Sequence, residues 1–525
     1  MLLHRLLFDA AERHPDKLAF HWVDRDRSWT YAEAAAEVLR VAGALSALGV
    51  GPGDRVTVFA HNGLDYLAAM FGAWRIGAIS ALVNVQYADT LDYYLGDHEP
   101  SVVIYTHDMF EPIDRARRAG VAAGTWRHSL CLDGAQDGAL SWPELLAATS
   151  GTPPEATDES AVAHLSYTSG TSGRPKGACL AHEATARATN CIAERLRLRP
   201  GDVSFGPTAL SSSYQLVANL LPPLHRTCSI NVMGRWNPSA GFDALVAREA
   251  TVLVGNPIVL TDVLVEARRR EGAAPPALRM GLSGGGPVPP TLKRAWRDEL
   301  GLPLVESYGQ SELGGFFALG APELPTDERL LAIGTALPDK ELRIMDHEGG
   351  LLPPGEVGEM VLRGGFMAGY WGRPERTAEA LAGGWLHSGD LGYLDRDGYL
   401  FLRGRVSERI IVAGEAWFPR DVEEALATHP GVKMAALVGV TDDELGQRPM
   451  AFVLPMAAAG GAGGTSEVGS SESDAGLTAD ELRRWAAEAL GRSLEVMEVA
   501  VVDSLPMTPT GKIAKAELAA AAAHP

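Results

Sequence analysis

The sequence predicts an α/β protein that runs on into a β-rich stretch and ends in a small α+β domain. Three observations carry this. Strand-like apolar runs alternate with amphipathic helical patterns over the first 330 or so residues; short segments punctuated by glycine follow; and helices resume past Arg405. A length of 525 residues, 46% hydrophobic and 21% charged, is that of an ordinary multidomain globular protein and excludes disorder as the main state.

The first 150 residues set the α/β pattern. The segment MLLHRLLFDAAERHPDK reads as an amphipathic surface helix, since His4, Arg5 and Asp9 break its apolar start, and not as a secretory signal. Thr30 is a helix N-cap for Tyr31 to Leu48, which stops at Gly49; Arg55 to Ala60 is a short strand; Leu64 to Trp74 is the next helix. Similar units follow, with a strand at Leu253 before a helix after Pro257, and a strand at 277–283 before a helix after Pro290. ELRIMD, GEMVLRG, GYLDRDGYLFLRGR and RIIVAGE read as antiparallel sheet or a small barrel. Beyond them come a helix at Asp421 to Thr428, strands at Ala435 to Val440 and Met450 to Leu454, and a closing helix. Ala457 to Ala475 is Gly, Ala and Ser rich without periodicity and reads as a disordered loop.

Charge narrows the function classes. Lys plus Arg total 46 against 66 Asp plus Glu, a net charge of -20, which repels nucleic acid and anionic membranes. The four cysteines fall in no CxxC or CxxH spacing, so a reducing, cytoplasmic location without zinc is expected. No charge-free apolar run reaches the ~18 to 20 residues of a membrane span. A monomer and a homodimer are equally compatible with the sequence.

Chemistry concentrates in Tyr167 to Gly177, YTSGTSGRPKG. Its glycines turn backbone N–H groups inward, its hydroxyls add donors and Lys176 adds a positive charge, which together suit a polyphosphate; the Walker A spacing is not met. A second word, GLSGG at Gly281 to Gly285, matches the GxSxG nucleophile elbow. Pro287, Pro289 and Pro290 delay the helix that an elbow needs, so Ser283 is expected in a loop near the nucleotide.

YTSGTSGRPKG resembles the phosphate loop of the adenylate-forming superfamily of acyl-CoA synthetases, peptide-synthetase adenylation domains and luciferases. Four more segments match in order: SYGQSE at Ser307 to Glu312, WLHSGD at Trp385 to Asp390, GRVSERIIVAGEAWFP at Gly404 to Pro419, and PMTPTGKIAK at Pro506 to Lys515. The resemblance implies a large N-terminal domain, residues 1–404, of two α/β subdomains plus a small β-barrel-like one. A mobile α+β domain, residues 405–525, carries Lys512.

It also implies roles, residue by residue. Thr168, Ser169, Gly170, Thr171, Ser172, Gly173 and Lys176 would hold the phosphates of ATP, with Thr168 catalytic alongside Glu312 and Lys512. Glu312 would ligate Mg²⁺, a hard cation that takes carboxylate oxygen. Gly285, Gly286, Pro287, Ser307, Tyr308, Gly309, Gln310 and Ser311 would surround the adenine, with Tyr308 stacked on the base. Asp390 would accept from both ribose hydroxyls, helped by Arg405. Lys512 would bridge the acid's carboxylate and the α-phosphate. Leu210, Ser212, Tyr214, Gly284 and Gly309 would form the acyl pocket, and Ser407, Gly414 and Trp417 the hinge and acceptor channel.

Several positions depart from the family pattern. Ala209 and Leu210 replace an aromatic and a histidine, Ser212 replaces a large aromatic, Ser407 stands in for Asp or Lys, and Trp417 narrows the thiol's path. The implied reaction is ATP-dependent activation of an organic carboxylic acid to an acyl-adenylate, with transfer to coenzyme A. The alternative is the same adenylation with another acceptor: a carrier-protein thiol, an amine, or nitrite-dependent diazotisation of an aryl amine.

Overall fold

The computed structural model describes residues 1–168, 174–286, 288–338, 340–456, 477–507 and 513–523. The chain divides into two compact units: residues 1–288, 295–342 and 362–386 form the first, and 289–294, 343–361 and 387–525 the second. The segment 457–475, expected to be a loop, and Lys512 lie outside the described residues.

Two largely parallel sheets build the first unit. One is seven-stranded, in the order Leu140–Ser141, His128–Cys131, Val102–Tyr105, Arg55–Phe59, Ile79–Leu82, Val162–Tyr167, Gly177–Ala181, and only its last pair is antiparallel. In the other, Leu18–Trp22, Ser229–Val232, Val203–Gly206, Val252–Gly255, Met280–Ser283 and Leu304–Gln310 run parallel, with Arg27–Thr30 and Gly315–Leu319 antiparallel at the flanks. The alternation read from the sequence therefore yields two α/β layers. Helix Tyr31–Ala47 starts where expected because Thr30 accepts from Glu33 N–H while Glu33 accepts from Thr30 N–H, a full capping box. It packs against Leu64–Arg75, where Gly72 lets the helices close: a Cβ there would stand 2.6 Å from Val41 Cγ1. Ser283 is not a loop residue as expected but the last residue of its strand, fully buried, and the following helix begins only at Pro290.

Strands Glu341–Met345, Gly358–Arg363, Leu386–Leu394 and Tyr399–Arg405, most of whose residues belong to the second unit, lie side by side. A further sheet pairs Gly446–Pro455 with Val432–Asp442, Ile410–Val412 and Glu498–Val501. Alternate residues of Val432–Asp442 feed two cores. Ala435 and Leu437 pack with Val422, Leu426 and Leu482, whereas Ala436, Val438 and Val440 pack with Phe452 and Leu518. The helix expected at Asp421 begins at Pro419, since proline is favoured at the first helical position. No helix of the described residues is long and apolar enough to cross a membrane.

Three buried histidines make the first unit acid-sensitive. Burial pushes His98 down to about 3 and His164 and His182 down to about 4, from the ordinary 6.5. Between pH 6.5 and about 4 the unfolded chain binds protons at these imidazoles that the folded chain refuses, so stability falls as pH falls through that window. The loss at pH 5 is on the order of 2 kcal/mol per histidine. Thermal unfolding at pH 7 and pH 5 checks this. His182→Gln, which keeps an acceptor for the Leu3 N–H that His182 Nδ1 now binds at 3.2 Å, should remove part of the pH dependence.

Candidate active site

The phosphate-loop word is a hairpin. Strand Val162–Tyr167 leaves the sheet and Gly177–Ala181 returns antiparallel beside it, pairing Tyr167 with Gly177. Thr168 N–H donates to the Lys176 carbonyl at 3.0 Å and Lys176 N–H donates to Thr168 Oγ1 at 3.3 Å, so Thr168 and Lys176 clasp the loop at its base. Ser169, Gly170, Thr171, Ser172 and Gly173 lie outside the described residues, as does Pro287.

The SYGQSE segment meets this clasp. Leu304–Gln310 is the last parallel strand of its sheet, and it turns through Ser311–Leu313, where Gly314 takes φ +60°, back into Gly315–Leu319. Ser311 Oγ donates to the Tyr167 carbonyl at 3.3 Å, tying the turn to the loop base. Glu312 on this turn is half-buried. Its Oε1 accepts from the Tyr370 hydroxyl at 2.7 Å, and its carbonyl accepts from Met367 N–H at 2.6 Å. The Lys176 ammonium stands 4.3 Å from the centre of the Tyr370 ring, a cation–π contact. Tyr370 thus links the two charged groups, with the Lys176 ammonium against its ring and the Glu312 carboxylate on its hydroxyl. Burial and the Glu312 carboxylate both push the Tyr370 phenol far up, so it stays protonated and donating.

Among the described residues no cluster of three or more His, Cys, Asp or Glu could cage a metal. A single carboxylate, with one oxygen held by Tyr370 and the other available, fits a magnesium ion that takes its remaining ligands from water and substrate phosphate.

The glycines flank the same strand ends. Gly284 follows Ser283, and a Cβ there would stand 2.3 Å from Ser307 Oγ and 2.6 Å from Tyr214 Cε2; only glycine fits. Gly285, at φ +78°, turns the chain outward into Gly286. Ser307 Oγ donates to the Ser283 carbonyl at 3.0 Å. Tyr308 is buried, Gln310 is partly exposed, and Gly309 sits at a bulge where a Cβ would stand 2.8 Å from the Gly315 carbonyl. The Tyr214 hydroxyl donates to the Leu282 carbonyl at 2.9 Å, which seats its ring at the ends of the parallel strands, 5.8 Å from Phe316. Ser212 is the N-cap of the short helix Ser213–Gln215. Leu210, expected in the acyl pocket, is buried. It is 1% exposed within the core of the first unit, where its apolar chain gains most from burial.

In the second unit Asp390 and Arg405 are register partners on adjacent strands, and Arg405 Nε lies 3.2 Å from Asp390 Oδ1. Two residues expected at the same ribose are therefore brought together. Ser407 is exposed on the turn Val406–Glu408. Gly414, φ +86°, follows Ala413, φ +48°, in the tight hairpin turn between Ile410–Val412 and Glu415–Trp417. Trp417, expected along the acceptor channel, is 5% exposed in the core of the unit, with the Arg492 guanidinium 4.2 Å from its ring centre. Lys515 bridges Glu408 at 3.0 Å and Glu423 at 2.8 Å.

Tyr370 was not singled out from the sequence, nor were Tyr93, Asp97 and Arg373, which surround the loop base. The signals were there: a Gly- and aromatic-rich GYWGRP turn, and Tyr93 and Asp97 four apart on one helix face.

The AMP-binding enzyme family matches residues 7–371, and the AMP-binding enzyme C-terminal domain matches residues 421–512. A feruloyl-CoA synthase from Amycolatopsis sp is 33% identical over 495 residues, covering 93% of each chain. A sulfoacetate–CoA ligase from Cupriavidus necator is 32% identical over 524 residues, covering 98% of this chain and 97% of its own. Among solved structures, ATP-bound MatB from Rhodopseudomonas palustris superposes with a TM-score of 0.85 at 26% identity, covering 100% of this chain and 99% of its own. With matches spanning both units and five motifs in order, this chain belongs to the AMP-binding enzyme family.

Proposed function

We propose that this protein joins an organic carboxylic acid to coenzyme A at the expense of ATP, with the linked Lys176, Tyr370 and Glu312 at the clasped loop as the centre of phosphate chemistry. It is an AMP-forming acid–CoA ligase. A carboxylate oxygen attacks the α-phosphorus of ATP and pyrophosphate leaves; the thiol of CoA then attacks the acyl carbonyl of the adenylate and AMP leaves.

The residues divide the work by their chemistry. The loop donors and Lys176 offset phosphate charge, and Thr168 keeps the loop closed at its base. Glu312 holds magnesium, which supplies charge neutralisation on the phosphates. Tyr370 keeps the Glu312 carboxylate aimed by donating to one oxygen. Asp390 takes the ribose hydroxyls, with Arg405 holding its carboxylate in place. Tyr308 stacks on the adenine. Gly284 and Gly309 present backbone to the acyl group and pack so closely on Ser307, Tyr214 and the Gly315 carbonyl that a side chain at either would clash with the protein itself, and Ser212 and Tyr214 border the acyl group. Lys512 bridges the reacting carboxylate and α-phosphate.

The division into residues 1–404 and 405–525 belongs to the same proposal, with Ser407 as the pivot. The family matches stop at residue 371 and resume at 421, on either side of it. Four free cysteines suit a reducing, cytoplasmic setting in which ATP and CoA are at hand. The acid is not inherited from the relatives, because two of nearly equal identity, 33% and 32%, are named for different acids.

The test is AMP release from ATP over a panel of carboxylic acids, with and without CoA. AMP should appear at the full rate only with both an acid and CoA. Release that responds to an amine or a carrier protein and ignores CoA would replace the acceptor in this reading.

A further inference from the structure

Both ends of the phosphate loop are fastened to one helix, Leu91–His98. Before the loop, the Tyr167 hydroxyl donates to Asp97 Oδ2 at 2.9 Å and lies 2.9 Å from His98 Nδ1. His98 Nε2 in turn lies 2.6 Å from Thr57 Oγ1. Because the phenol spends its proton on Asp97, it accepts from His98 Nδ1–H, and His98 Nε2 accepts from Thr57. His98 is fully buried and burial keeps it neutral, which this order of donors requires. After the loop, the Tyr93 hydroxyl donates to the Pro175 carbonyl, and the Arg174 guanidinium stands 5.6 Å from the Tyr93 ring centre. Arg373 closes the circuit: it donates to Asp97 Oδ1 and, at 3.2 Å, to the Tyr93 hydroxyl. It arrives there because Trp371 N–H donates to the Gly177 carbonyl at 2.8 Å, laying its segment along the returning strand.

We propose that the circuit of Asp97, Tyr167, His98 and Arg373 sets the span of the phosphate loop, and that these are positioning residues for the β- and γ-phosphates of ATP in the adenylation step. This rests on the ligase reading above. A hairpin loop whose donors must meet a polyphosphate at fixed spacing gains from having both ends held by one rigid element. Helix Leu91–His98 is that element. Tyr93 and Asp97, one turn apart, reach the two loop ends, while Tyr94 and His98 are buried beside Tyr167, with the Tyr94 and Tyr167 rings 4.9 Å apart edge to face. The contacts lie outside the loop itself, so they act on ATP only through it.

The experiment compares equilibrium binding of ATP and of AMP to the wild-type protein, Tyr167→Phe, Asp97→Asn and the double variant. AMP has no β- or γ-phosphate, so it reports fold integrity and the nucleoside site alone. Each single variant should weaken ATP binding by about tenfold with AMP binding within twofold, and the double variant should cost no more than either single one, as for members of one circuit. Thiolysis of a supplied acyl-adenylate should also stay within twofold, since the polyphosphate has already left. Equal weakening of ATP and AMP, or unchanged ATP binding, overturns the proposal. Arg373→Lys, at a half-exposed position that unfolding is less able to mask, must show the same selective loss. A wild-type protein that binds neither nucleotide would sink the ligase reading instead, so the two failures are distinct.

Discussion

Lys512→Ala is expected to abolish acid-dependent pyrophosphate release and to leave thiolysis of a supplied acyl-adenylate intact. Lys512 stands in PMTPTGKIAK, a segment that resembles the family's C-terminal lysine motif. By that resemblance its ammonium would meet two anions that repel each other, the attacking carboxylate and the α-phosphate. Removing such a preorganised charge costs on the order of 10²-fold or more in adenylation rate. The second half-reaction begins after that repulsion is gone, so it has no use for the same charge. Pyrophosphate release and AMP release from synthetic adenylate, measured separately, check the split. Equal loss of both would mean that Lys512 serves the fold or a shared binding step.

Glu312→Gln is expected to lower the overall rate by more than tenfold and to raise the magnesium concentration needed for half-maximal activity. The substitution is specific. Gln keeps the length of Glu and keeps an oxygen for the Tyr370 hydroxyl that Glu312 Oε1 now accepts at 2.7 Å, so the turn Ser311–Leu313 stays in place. What goes is the charge, and with it the hard anionic oxygen that a divalent cation prefers. A second readout follows from linkage: magnesium should add less to thermal stability in the presence of ATP for the variant than for the wild type. Unchanged activity at low magnesium would remove Glu312 from the metal's ligands.

Two apolar residues of the expected site are deeply buried. Leu210 and Trp417 fall within motif-like stretches, and alignment by motif places them on a pocket wall and a channel. Both are large and apolar, and each unit uses its side chain to fill a core. A motif fixes where the backbone goes; which way a neighbouring apolar residue turns depends on what space the rest of the fold leaves.

Read alone, the sequence determined the α/β class, the order of its motifs, and the hydroxyl, glycine and charged residues of the phosphate loop. Through the resemblance of its motifs to a known family it also supplied Glu312, Asp390 and Arg405 as expected site residues. These are legible because each rests on local rules: capping at Thr30, strand and helix periods, turn-forming glycines, and short words that encode a backbone shape. Tertiary structure alone decided that Asp390 and Arg405 are partners across two strands. It likewise brought Tyr370 to Glu312 across 58 positions and Arg373 to Asp97 across 276. Those partners carry no local signature, because a hydrogen bond between distant residues is set by sheet order and register, which emerge only when the whole core packs.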